Sequence, residues 1–132
     1  MIGGVLQPWR ALAFLLGMGL MLGETLRSWG AGRHWIWVVD DFVIGIPLVV
    51  TAVLVARPTI ARRCAFSAAW AATAGMLYSS FFMKLLDPDA TTAGNWSLGW
   101  LTIGAGFAFV QSLVCLVASI VVRTGDAEPD DR

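Results

Sequence analysis

The sequence predicts an all-α integral membrane protein, a four-helix bundle with both termini in the cytoplasm. Three observations predict it. Apolar residues make up 58% of the chain and charged residues only 14%, against roughly 45–50% and about 25% in a typical soluble domain. Charged residues are clustered, leaving charge-free runs at 11–23, 42–56, 64–83 and 90–122. Tryptophans fall at the ends of these runs, where a half-wet indole prefers the headgroup level of a bilayer. With their flanks, the four runs approach the roughly 20 residues needed to cross about 30 Å of hydrocarbon. At 132 residues the chain is one domain, a four-span unit over 1–124 followed by an acidic disordered tail at 125–132.

The first helix is expected over 9–28, bracketed by Trp9 and Trp29. It follows Arg10 as a signal peptide might, but no small-x-small cleavage site comes after it, so it reads as a retained span. The second, 35–56, opens on Trp35 and Trp37 and stops at Arg57-Pro58; Pro47 lies mid-span and predicts a kink. The third, 63–86, runs from Arg62 and Arg63 to Lys84 and Asp87-Pro88. The fourth, 97–122, starts at Trp96 and Trp100 and ends before Arg123-Thr124-Gly125.

Orientation follows from Lys and Arg alone. With four spans, Arg10, Arg57, Arg62, Arg63, Arg123 and Arg132 share one side, while Arg27, Arg33 and Lys84 share the other. The richer side is the cytoplasm, and Trp29, Trp35, Trp37, Trp96 and Trp100 then face outward. The Ala-, Gly- and Arg-rich composition points to a bacterial inner membrane.

Lipid tails are as apolar as leucine, so helices in a bilayer associate where small residues let backbones approach. Ser67, Ala71, Gly75 and Ser79 form a stripe spaced by four on the third helix and are expected to be its packing seam. Ala13 with Gly17, Gly19 with Gly23, and Gly104, Ala108 and Ser112 offer similar seams on the first and fourth.

The candidate site is polar. Antiparallel threading brings Glu24, Arg27, Asp40, Asp41 and Lys84 to a similar depth, about 5–7 Å inside the outer tryptophans. Charges within spans are costly and call for a reason. Glu24 and Arg27, three apart, can pair along one face, and Lys84 can reach Ser80 or Asp87. Adjacent on a helix, Asp40 and Asp41 point about 100° apart, so only one can turn inward. His34 stands beside Trp35 in the outer loop and completes the candidate set as a polar interface residue. The cluster reads first as an ion-pair lock and second as a pocket for a polar solute, a cation or a proton.

Several chemistries find no support. A net charge of zero removes the basic footprint of a nucleic-acid binder. One histidine and two cysteines cannot build a zinc cage, and no Cys-x-x-Cys is present for thiol redox work. Cys64 and Cys115 are expected at different depths, as unpaired core residues. Gly17-Met18-Gly19 and Gly104-Ala105-Gly106 lie within spans with no preceding strand, so they are not nucleotide loops. No cofactor, metal or catalytic residue is expected. The expected function is non-enzymatic, that of a small membrane subunit or accessory protein. The alternative is a small transporter or channel-like binder using Glu24, Asp40 and Asp41. Expected partners are the lipid bilayer and either a second copy or another membrane protein.

Overall fold

The computed structural model describes residues 7–91 and 93–125. Among the described residues the molecule is all-helical, with α1 at Gln7–Ser28, α2 at Trp35–Leu54, α3 at Ile60–Leu86 and α4 at Leu98–Gly125; a 3-10 turn, Pro88–Ala90, follows α3. These lie within a few residues of the sequence expectation. The acidic tail expected at 125–132 falls, from Asp126 on, outside the described residues.

Local chemistry sets the boundaries. His34 caps α2: its Nδ1 accepts from the Ile36 amide at 3.4 Å. Thr59 caps α3, its hydroxyl accepting from the Arg62 amide at 3.2 Å. The cap satisfies an otherwise orphaned first-turn donor, so α3 begins at Ile60, before the arginines that seemed to open it. α2 runs unbroken across Pro47. At the far end of α2, the Arg10 Nε donates to the Ala52 carbonyl at 2.9 Å, placing a cation on the negative end of the α2 dipole.

α1 packs along α2 and α3 along α4; α2 against α3 joins the two hairpins, and α1 meets α4 only slightly. α1 and α2 cross where their backbones touch. A Cβ on Gly17 would lie 2.7 Å from the Gly45 carbonyl oxygen, and one on Gly45 would lie 2.8 Å from that of Gly17. Ala13 is fully buried beside this crossing, so the Ala13–Gly17 seam holds. Ala108 and Ser112 are buried on α4, whereas a Cβ on Gly19 or Gly104 would meet open space.

The α3 stripe is not the packing seam. Ala71, Gly75 and Ser79 are exposed, and a Cβ on Gly75 would meet nothing within 4 Å. Only Ser67 joins a neighbour, accepting from the Ser119 hydroxyl at 3.0 Å. α3 instead buries Phe66, Ala69, Trp70, Thr73, Ala74 and Leu77, a face with the same helical period but large side chains. Volume decides: α3 must fill the space between α2 and α4, and a stripe without bulk cannot fill it.

The dry core sits toward one end, where Ala13, Leu48, Ala52, Val55, Phe66, Ala69, Trp70 and Cys115 cluster. Neither Cys64 nor Cys115 is in a disulfide among the described residues. Large apolar side chains also cover the outside: Ile103, Phe107, Val110, Val114, Val117 and Val121 are all exposed along α4. Gln7–Ser28, Trp35–Leu54 and Leu98–Val121 are long and apolar enough to cross a membrane. α3 is long enough but is diluted by Ser, Thr, Gly, Trp and Tyr, and it is not among the three.

Candidate functional site

The polar cluster lies at the end opposite the dry core, where α1 and α3 finish and α2 and α4 begin. Glu24, on the last turns of α1, is 3% exposed. One carboxylate oxygen accepts from the Arg27 Nη1 at 2.9 Å. The other accepts from the Ser28 hydroxyl at 2.6 Å and from the Arg33 Nη1, which also donates to the Ser28 oxygen at 2.9 Å. The expected Glu24–Arg27 pair is therefore present, as one part of a cluster that also holds Ser28 and Arg33.

Arg33 was not in the candidate set, because helical spacing does not apply to a loop residue. The turn explains its arrival. Gly30 and Gly32 both have φ near +67°, at 68° and 66°, in the left-handed region that glycine adopts without penalty. Two such residues bend the chain after Ser28 so that Arg33 returns to Glu24. The pattern Gly30-Ala31-Gly32-Arg33 is the signal that the sequence carried for it. The Arg33 side chain is 6% exposed, and its Nε is a buried donor with no partner.

The α3–α4 loop closes this end. The Asn95 side-chain amide donates to the carbonyls of Leu26 at 3.1 Å and Trp29 at 2.8 Å, and its backbone amide donates to that of Arg27 at 3.0 Å. Asn95 thus satisfies carbonyls left open at the C-terminus of α1. Gly94, at φ 65°, permits the approach: a Cβ there would lie 2.4 Å from the Arg27 carbonyl oxygen. The Arg27 Nε donates to the Ala93 carbonyl at 3.2 Å, tying the loop to the cluster.

The other charges have a different setting. Asp41 turns inward and is half-buried, while Asp40 is exposed, as their angular separation requires. Asp41 makes no hydrogen bond and no ion pair among the described residues. The Lys84 Nζ donates to the Ser80 hydroxyl at 2.5 Å and carbonyl at 3.1 Å. Both residues look onto a cavity of about 460 Å3 between α2 and α3, which Asp40, Arg33, Trp37 and Ser79 also line. Both also line a smaller cavity of about 150 Å3 on the α1–α4 side, with Trp96 and Trp100 at its wall. The charged side chains therefore stand between two openings.

His34 is not brought into the site. It is exposed, caps α2 and stacks beside Trp35 with ring centroids 5.8 Å apart. Among the described residues no group of three His, Cys, Asp or Glu side chains is placed to hold a metal ion. The chain matches no protein-family model, no curated protein and no solved structure, so the meaning of the site rests on its geometry.

Proposed function

We propose that this is a non-enzymatic, four-span membrane protein that binds a small polar solute in the charged cavity at its outward end. The membrane assignment is supported by three helices long and apolar enough to span, and by exposed apolar side chains that in water would form an aggregating patch. We read α3, whose residues 64–83 carry no charge, as the fourth span. The Lys and Arg asymmetry then puts both termini, and the 57–63 loop, in the cytoplasm of a bacterial inner membrane.

One observation carries the binding reading: a cavity of about 460 Å3 is walled by Asp41 and Lys84, neither of which is in an ion pair among the described residues. That volume suits a small ligand. Glu24, by contrast, already accepts from Arg27, Ser28 and Arg33, and we read it as the lock. The accessory-subunit reading draws on this lock, since fixed helix ends would present a constant surface to another membrane protein.

The test is whether the cavity is wet and open to the outside. Ser79 lines it and is exposed. In a background with Cys64→Ser and Cys115→Ala, Ser79→Cys should react with a membrane-impermeant, charged thiol reagent added to intact cells. A site in lipid or in a dry lock does not form thiolate, and absence of reaction there overturns the reading.

A further inference from the structure

We propose that the cavity takes a zwitterion in which an ammonium and a phosphate group lie a few atoms apart, as in an aminoalkyl phosphate. The inference rests on the solute-binding reading above and names the chemistry of the solute.

Opposite charges that share a low-dielectric cavity attract strongly and normally close onto each other. Asp41 and Lys84 share both cavities and do not, with no N···O approach within 4.0 Å. The reason is visible at Lys84, whose ammonium is held back on its own helix by the Ser80 hydroxyl and carbonyl. A carboxylate and an ammonium are thus displayed apart across one space. A lone cation would satisfy Asp41 and be repelled by Lys84; a lone anion would meet the reverse. A ligand carrying both signs satisfies both walls.

Two further features select the ends of that ligand. Arg33 joins Lys84 and Arg27 on the cationic wall of the larger cavity, and its Nε is a buried donor without an acceptor among the described residues. A phosphate has oxygens enough for Lys84 and Arg33 together. At the other end, Asp40 stands beside Asp41, and Trp37, an aromatic residue of the kind that attracts an ammonium, lines the same cavity. The wall as a whole sets Glu24, Asp40 and Asp41 against Arg27, Arg33 and Lys84, so a ligand bearing both signs finds a counter-charge for each.

The zwitterion could be a free solute or the headgroup of a phospholipid entering from the side, and the experiment separates the two. The protein with Ser79→Cys, lacking Cys64 and Cys115, is placed in nanodiscs of phosphatidylglycerol, and labelling by the charged thiol reagent is followed with phosphoethanolamine, ethanolamine or glycerol 3-phosphate present. Phosphoethanolamine should protect the thiol at concentrations where the probes carrying charge of one sign do not. Asp41→Asn should weaken this protection about tenfold or more, as expected for losing one charge-assisted hydrogen bond. Lys84→Gln should do the same. Neither residue has an ion-pair partner to strand, so both variants should keep the thermal unfolding midpoint of the parent.

Slower labelling in phosphatidylethanolamine nanodiscs than in phosphatidylglycerol ones assigns the ligand to lipid; protection by soluble phosphoethanolamine with no effect of the lipid assigns it to a free solute. Labelling that proceeds but is unaffected by every zwitterion, or protection unchanged in Asp41→Asn, overturns this inference and leaves the wet cavity standing. A thiol that never reacts overturns the solute-binding reading itself.

Discussion

Glu24 shows how one residue organises an end of the molecule. Its carboxylate is buried and accepts from two guanidinium groups and a hydroxyl. Removing one partner of a buried pair typically costs about 3–5 kcal/mol, while replacing the whole set by apolar groups can be neutral. Glu24→Leu should therefore destabilise by about that amount in detergent. Adding Arg27→Leu should restore only part of the loss, because Arg33 is still stranded, and the triple change with Arg33→Leu should restore most of it. Thermal unfolding of the set measures this, and a Glu24–Arg33 coupling near zero would remove Arg33 from the lock. Gly94 makes a second point at this scale. Gly94→Ala meets both a left-handed φ and the Arg27 carbonyl, whereas Gly30→Ala meets only the φ, with open space around it. The left-handed conformation alone costs roughly 1–2 kcal/mol, so Gly94→Ala should lower the unfolding midpoint clearly more than Gly30→Ala. Equal effects would mean that the loop does not press on α1.

Among elements, packing follows volume and backbone approach together. Gly17 and Gly45 let α1 and α2 touch, and Gly106 receives the Phe81 ring, where a Cβ would lie 2.7 Å from Cε2. Gly75 receives nothing. Overpacking typically costs about 1–3 kcal/mol. Gly17→Leu should fall at or above the top of that range, since the neighbouring atom is backbone, while Gly75→Leu should leave the unfolding midpoint near that of the parent. A large loss with Gly75→Leu would place a helix against the α3 stripe. The sequence made the stripe look like a seam because small-residue spacing marks where a close approach is permitted. Whether an approach occurs depends on which face carries the bulk, and Phe66, Trp70 and Leu77 lie on another face of α3.

For the whole molecule the two ends differ in kind. One is closed by Trp70, Phe66, Leu48 and Val55; the other is split by charged residues with space on either side. Trp29, Trp35, Trp37, Trp96 and Trp100 gather at the charged end, all exposed, as the belt of a single interface requires. The proposed orientation predicts that single cysteines at Ala31 and Asp89, in the background lacking Cys64 and Cys115, label with an impermeant reagent in intact cells. A cysteine at Ala56 should label only after the membrane is opened. The opposite pattern would invert the topology.

Helix number, helix limits to within a few residues and the gathering of Glu24, Arg27, Asp40, Asp41 and Lys84 at one end were legible in the sequence. Each depends on local terms: hydropathy over a window, charges that punctuate it, and a fixed rise per residue that converts position into depth. The unequal burial of the two aspartates was legible too, since adjacent helical residues point about 100° apart, although both reach the wall of the larger cavity. Three things were decided only by tertiary structure. Arg33 joined Glu24 because two left-handed glycines redirected a loop, and helical periodicity says nothing about such a path. Asn95 reached the end of α1 from 66 to 69 residues away in sequence. The division of the cluster into a satisfied lock at Glu24 and an unpaired couple at Asp41 and Lys84 depends on which partner lies within hydrogen-bonding reach. Depth can be read from a chain one residue at a time, but pairing requires azimuth and distance between helices, and these are set only when the helices pack.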